Sequence, residues 1–343
     1  IQPTFSDPVE PKFIDFRWPV YNRRILTNEM ESETMRNDVP SWLACPVCQE
    51  ALGQQGDGLY CSRDDLSFPI EEGILRLMPA VQREAADAYA AEYRARREAQ
   101  GWRSLSAEEM AALPTIPPSG WDKIYWPMRH KSFQAFMDWF KQKKDGWDRP
   151  LRVVEMGAGV GWLAGRLALA VKASDEAVSP EPIELVALDL SCDDAFGLGA
   201  AGRLRQELER PITLVQGDIE APPIQRKSVD LLIYNASLHY AMDIAGCLAS
   251  AAALLRRDGM VVIMDSPIST VPELASSSPA ITRNRVDFPQ PDGPTKTTNS
   301  PSSTVRLMSF STWTSPKDLF TFVSLRAVMS ALLQLDCAAG ANA

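Results

Sequence analysis

The stretch Val153-Val154-Glu155-Met156-Gly157-Ala158-Gly159-Val160-Gly161-Trp162 constrains this chain more than any other. Leu151 to Met156 is apolar and rich in β-branched residues, and it ends at a glycine turn, which predicts a buried strand. Gly157 and Gly159 let the backbone turn sharply and approach a ligand where a Cβ would collide. Trp162, Leu163, Arg166, Leu167, Leu169 and Ala170 follow at helical spacing. A helix that opens on a glycine loop offers free N–H groups to polar atoms of a ligand. The dinucleotide fingerprint wants its third glycine three positions after the second. That position is Trp162, so the fingerprint fails.

From Leu151 onward, strand-like and helix-like segments alternate, the pattern of a parallel sheet covered on both faces. The second strand is Ile183 to Leu190, with Asp189 at its tip, where a carboxylate can accept both ribose hydroxyls of a nucleoside. The third is Ile212 to Gln216, leading into Gly217-Asp218-Ile219. The fourth, Val229 to Tyr234, runs into Asn235-Ala236-Ser237-Leu238-His239-Tyr240. A helix from about Met242 to Arg257 is expected to end at an Asp258-Gly259 cap, before a fifth strand Met260 to Asp265.

The acid-x-Gly-x-Gly-x-Gly run at 155–161, with the acids at 189 and 218, resembles the class I S-adenosylmethionine-dependent methyltransferases. The resemblance covers about 120–268. It implies a Rossmann-like α/β sheet with helices on both faces. It implies that Glu155 fixes the glycine loop or the cofactor's amino group. By the same resemblance Gly157, Ala158, Gly159 and Gly161 line the methionine side, Asp189 and Leu190 meet the ribose, and Asp218 and Ile219 meet the adenine. Asn235 opens the segment that resembles motif IV, where the methyl acceptor lies. His239 there is either a general base or a packed side chain. The Ser191-to-Ala201 loop resembles one in a bacterial subgroup of these enzymes, and Cys192 within it is read as inert.

Ahead of this, residues 41–80 carry Cys45-Pro46-Val47-Cys48, a glycine turn, and Cys61-Ser62-Arg63-Asp64. Two knuckles that each offer a pair of ligands are how a zinc ribbon is built. With Phe68-Pro69-Ile70 and Gly73-Ile74, the segment resembles the small zinc-ribbon activators of tRNA and protein methyltransferases. That family has cysteine where this chain has Asp64. Two readings stay open: zinc held by Cys45, Cys48, Cys61 and Asp64, or loss of the metal with the ribbon kept by packing.

The remaining segments are less specific. Residues 1–40 are proline-broken and are read as an irregular extension. Residues 81–145 are read as a linker helix with a solvated charged face, followed by a cofactor-lidding helix from Trp126 to Lys143. Tyr125, Trp126 and Arg129 stand near the start of that second helix. Residues 146–270 are the cofactor-binding domain. Residues 271–343 are rich in Pro, Ser and Thr to about 304 and are expected not to complete the sheet in the usual way. Arg285 to Ser302 resembles the wrong-strand translation of a transporter gene, which suggests a frameshift or fusion after Pro267. Thr304 to Phe310 alternates weakly and is the one candidate edge strand.

A net charge of -9 with pI ≈ 5.0 argues against a phosphate backbone as the main partner. A small-molecule methyl acceptor is expected instead. No apolar run is long enough for a membrane span, and no secretory signal is read, so a cytoplasmic location is expected. The competing reading is a ribosomal-RNA guanine methyltransferase, in which a zinc ribbon also precedes this fold. A non-catalytic cofactor-binding protein is the third. The sequence leaves the oligomeric state open.

Overall fold

The computed structural model describes residues 39–118, 125–144, 149–172, 183–208, 210–266, 306–310 and 321–324. The irregular extension expected over 1–40 lies almost wholly outside them, as do the loop at 174–176 and most of the tail. The strands are β1 (Gly53–Gln55), β2 (Gly58–Cys61), β3 (Leu66–Glu71), β4 (Ile74–Arg76), β5 (Leu151–Met156), β6 (Ile183–Asp189), β7 (Thr213–Gln216), β8 (Val229–Asn235), β9 (Leu255–Met264), β10 (Arg306–Phe310) and β11 (Thr321–Ser324). The helices are α1 (Ala80–Ala99), α2 (Ala107–Ala112), α3 (Tyr125–Lys144), α4 (Trp162–Lys172), α5 (Leu198–Leu208) and α6 (Ile244–Leu254).

The strands lie in the order β1-β2-β3-β4-β7-β6-β5-β8-β9-β10-β11. Every pairing from β4 through β10 is parallel. Parallel strands need both faces covered, and side chains on a strand alternate between faces. β8 shows the consequence. Leu231 and Ile233 join one core with Leu163, Leu167, Phe136, Phe140 and Met110 from the helices α2 to α4. Leu232 and Tyr234 join a second core with Leu248, Ala251 and Leu254 of α6.

That second core also contains Trp42, Leu43, Cys45, Leu59, Cys61 and Phe68 of the ribbon. The ribbon is therefore built into the sheet. It covers part of one face, and its last strand extends the sheet, with Ile74 opposite Leu214 and Arg76 opposite Gln216 in parallel register. Trp42 is 1% exposed, and its indole N–H donates to Glu184 of β6.

Two expectations need correction. The helical stretch read across 81–112 is two helices. It breaks at Gly101 (φ 83°) and restarts at Ser106, where a capping box with Glu109 satisfies two otherwise free N–H groups. The expected Asp258-Gly259 helix cap lies inside β9, because the chain is already extended from Leu255. The candidate edge strand in the tail is present beside β9. β10 runs parallel to it from Arg306 opposite Met260 to Phe310 opposite Met264, and β11 pairs antiparallel with β10. The edge of β9 is thus covered by a parallel neighbour.

Candidate functional site

The site forms where β5, β6, β7 and β8 end. The loop after β5 turns through Gly157 (φ 72°), Gly159 (φ 54°) and Gly161 (φ 69°), a conformation that side chains rarely adopt. A Cβ on Gly157 would stand 2.5 Å from Ser237 Cβ, so this loop and the segment after β8 are in contact. The Ser237 hydroxyl donates to the Met156 carbonyl.

Two acids brace the loop, Glu155 buried and Asp189 half-buried. Glu155, 1% exposed, accepts the Ala164 N–H through Oε2 at 2.9 Å, near the start of α4. Its Oε1 accepts from Asn235 Nδ2 at 3.4 Å. Burial pushes its carboxyl up to about 8, against the pull of these two hydrogen bonds. Asp189 accepts the Gly159 N–H through Oδ2 at 2.8 Å and the Ser191 N–H through Oδ1 at 2.8 Å. Burial raises its carboxyl above the ordinary range, while backbone hydrogen bonds lower it. Asp218 accepts the Glu220 N–H at 2.9 Å, and burial raises it too. Leu190 offers its carbonyl to Gln216 Nε2 at 3.0 Å, and Ile219 is half-buried beside it in the second core.

Asn235 Oδ1 is buried and has no hydrogen-bond partner among the described residues. It is an acceptor left open at the end of β8, next to the glycine loop. The open acceptor and the Cβ-free loop fit a small ligand carrying a cationic amine, which S-adenosylmethionine has.

The structure adds a part that the sequence reading took for a linker. Helix α1 lies along this end of the sheet. Arg94 ties it to the loop after β6, at 3.2 Å from Asp193 and 2.6 Å from Asp194. Arg97 Nη2 donates to the Tyr240 hydroxyl at 3.2 Å, beyond β8. Between these anchors, Tyr89 and Tyr93 have their phenols raised by burial and by Tyr240. An open cleft of about 520 Å³ between α1 and the loop is lined by Arg76, Asp87, Arg94, Cys192 and Asp193. Burial pushes the Cys192 thiol up to about 12, in line with an inert cysteine.

His239 sits in a short 3-10 turn, Leu238–Tyr240, with its ring centroid 4.3 Å from that of Tyr240. Its Nδ1 is buried and has no partner among the described residues. Burial, then Arg129 and Arg97, hold the imidazole below its ordinary pKa, so it is neutral near pH 7. Arg129 of α3 stacks on Trp126, 4.9 Å from the ring centroid. Asp265, just past β9, accepts the Ser132 hydroxyl at 2.8 Å.

Away from this cleft, the ligand atoms of Cys45, Cys48, Cys61 and Asp64 lie within 4.8 Å of one another. Asp64 Oδ2 is 3.2 Å from Cys45 Sγ and 3.4 Å from Cys61 Sγ, and Cys48 and Cys61 sulfurs are 3.5 Å apart. Backbone N–H groups of Val47 and Asp64 point at Cys45 and Cys61 sulfurs, at 3.4 and 3.5 Å. Three sulfurs and one carboxylate oxygen at this spacing fit a tetrahedral zinc ion. All four predicted ligands are brought together.

Residues 154–263 match the family described as "Methyltransferase domain". The matched stretch coincides with the parallel, Rossmann-like part of the sheet and its braced glycine loop. Three solved structures illustrate the likeness. The citrinin polyketide synthase CMeT domain is 26% identical, with a TM-score of 0.28, over 33% of this chain and 28% of that one. A structure described as a putative S-adenosyl-L-methionine-dependent methyltransferase from Methanococcus maripaludis is 18% identical, with a TM-score of 0.31, over 46% and 61%. The plantazolicin methyltransferase, solved with a substrate analogue and SAH, is 14% identical, with a TM-score of 0.34, over 53% and 57%. The matches thus span 28% to 61% of the length of these three structures. No curated protein matches the chain. Among the described residues, no helix is long and apolar enough to cross a membrane.

Proposed function

We propose that this chain is an enzyme that transfers a methyl group from S-adenosylmethionine to a small-molecule acceptor. The observation that carries the reading is the cradle formed by the Gly159 N–H on Asp189 together with the open Asn235 Oδ1 beside Glu155. In this reading Gly157, Ala158, Gly159, Gly161 and Asn235 receive the methionine part, with Glu155 holding the loop from behind. Asp189 and Leu190 receive the ribose, and Asp218 and Ile219 the adenine. S-adenosylmethionine supplies a methyl group made electrophilic by its sulfonium. The chain's part is to hold acceptor and methyl in line and to exclude water, which α1 does from above. Positioning of this kind is worth about 7–11 kcal/mol in favourable cases. His239, neutral at its buried Nδ1, takes the proton that a hydroxyl or amine acceptor releases.

In the ribbon, Cys45, Cys48, Cys61 and Asp64 would hold zinc, which cross-links the two knuckles and does no chemistry. The ribbon is also what favours a second reading, a ribosomal-RNA guanine methyltransferase; the net charge of -9 weighs against it. The free thiols of Cys45, Cys48, Cys61, Cys192 and Cys247 support a reducing, cytoplasmic setting. Methyl-labelled S-adenosylmethionine, incubated with the chain and cell extract, separates the readings. Label in the small-molecule fraction supports the first and label on RNA the second. Cofactor binding with no label transferred to either would mean a non-catalytic protein.

A further inference from the structure

We infer that the methyl acceptor is a small anion, held through a carboxylate or a phosphate monoester by Arg97 and Arg129; this rests on the methyl-transfer reading of the cleft.

The two guanidinium groups come from different helices, α1 and α3, and both reach the region beside the Leu238–Tyr240 turn. Arg97 is fixed there. It donates to the Tyr240 hydroxyl at 3.2 Å and lies over the rings of Tyr93 and Trp102, 4.8 Å from each centroid. Tyr240 in turn stacks on His239, the candidate base. Arg129 is held on Trp126 from the other side. Among the described residues neither arginine has a carboxylate within ion-pair distance. The neighbouring Arg94 and Arg96 of α1 do, at 2.6 to 3.2 Å from Asp194, Glu92, Glu98 and Asp193.

The environment sharpens the point. Burial lowers the Arg129 guanidinium, Asp265 is the acid nearest to it in effect, and Arg97 is a second cation beside it. Asp265 is occupied by the Ser132 hydroxyl, and burial raises its carboxyl. Two guanidinium groups face one carboxylate, Asp265, which leaves a net positive site in a protein of net charge -9. Burying more cations than counter-ions is costly, so the arrangement calls for an anion from outside. Aromatic faces under both guanidinium groups leave the edge N–H groups that Arg97 does not spend on tyrosine hydroxyls for oxygen, and arginine binds carboxylate or phosphate through such edges. His239 Nδ1, buried and unpartnered in the same cluster, gives a second group aimed at an external ligand.

The test uses the full chain saturated with S-adenosylhomocysteine and titrated separately with inorganic phosphate and with succinate. Calorimetry reads affinity, and circular dichroism checks folding. We expect saturable binding of at least one anion, and a loss of about tenfold or more in Arg97→Gln and in Arg129→Gln. Arg129→Lys should recover part of the loss, since a merely structural cation–π role would not move anion affinity. Saturable phosphate alone assigns a phosphate ester, and saturable succinate alone a carboxylate. The inference is overturned if neither anion binds saturably, if both arginine variants bind as the wild type does, or if a short RNA binds there while both small anions do not. If S-adenosylhomocysteine itself does not bind the wild type, the methyl-transfer reading fails. If it binds normally and no anion does, only the present inference fails.

Discussion

The backbone N–H of Gly159 points at the Asp189 carboxylate, 2.8 Å from Oδ2. Thirty residues apart in sequence, the two ends of neighbouring parallel strands are tied by one bond, and the second carboxylate oxygen takes Ser191. The acid expected to serve a ribose thus also sets the shape of both loops that a nucleoside would lie between. A ligand hydroxyl arriving at Asp189 meets a carboxylate whose position is already fixed, which lowers the ordering cost of binding.

The loop should not tolerate a side chain at its first glycine. Gly157→Ala meets Ser237 at 2.5 Å and a φ of 72°. A loss of about 1–3 kcal/mol in unfolding free energy is expected from overpacking and strain. Urea denaturation measures it, and Gly202→Ala, with 3.7 Å to Leu214, is the mild control.

Glu155 should make stability depend on pH. Its folded carboxyl lies near 8, above the ordinary 4.5, so the folded state keeps a proton that the unfolded chain loses. Its contribution is therefore complete below about pH 4.5 and is lost as pH rises through about 8. The slope is about 1.4 kcal/mol per pH unit within that window. Glu155→Gln should flatten that part of the profile. A wild-type and variant pair with parallel profiles from pH 5 to 8 would show that Glu155 does not hold its proton.

Asp230 should be a stability residue with no part in binding. It is buried near the start of β8, and it accepts two bonds from Arg149 at 2.7 Å and one from Arg256 at 3.1 Å. It also accepts the Arg152 N–H at 3.0 Å. Asp230→Ala is expected to cost about 2–3 kcal/mol, the scale of charged hydrogen bonds. Affinity for S-adenosylhomocysteine should be unchanged, read from calorimetry below the unfolding temperature.

The ribbon should bind one zinc per chain. Elemental analysis after purification without chelators reads the stoichiometry. Cys45→Ser should lower it, and Asp64→Cys should tighten it by completing a four-cysteine set. Because the ribbon shares a core with the sheet, chelation should lower the melting temperature of the whole unit. Zinc that stays bound in Cys45→Ser would show that the ligands are others.

The strand–loop–helix at 151–172 and the tips of β6 and β8 could be read from the sequence, because short apolar runs ending at Gly or Asp leave a local imprint. The cluster of Cys45, Cys48, Cys61 and Asp64, which could hold a metal ion, could be read from its spacing. Helix α1 was visible as a helix, but its role was not. Its buried positions Ala86 and Ala90 carry little apolar signal beside the charged outer face. The pairing of β4 with β7 joins residues 74 and 214, and no periodicity within either strand encodes that partner. The start of β9 was hidden because Leu254 and Leu255 continue the apolar pattern of α6 straight into the strand. The open Asn235 Oδ1 needs three-dimensional accounting, since an unpartnered atom leaves no mark on composition.

The most direct test of the account is calorimetric titration of the full chain with S-adenosylhomocysteine, in wild type and in Asp189→Ala, with thermal unfolding recorded alongside. The account predicts one site per wild-type chain. In the variant it predicts affinity lower by about tenfold or more, the equivalent of one charged hydrogen bond of about 1.5–3 kcal/mol, in a protein that still unfolds cooperatively. A wild-type chain that does not bind, or a folded Asp189→Ala variant that binds equally well, would contradict it.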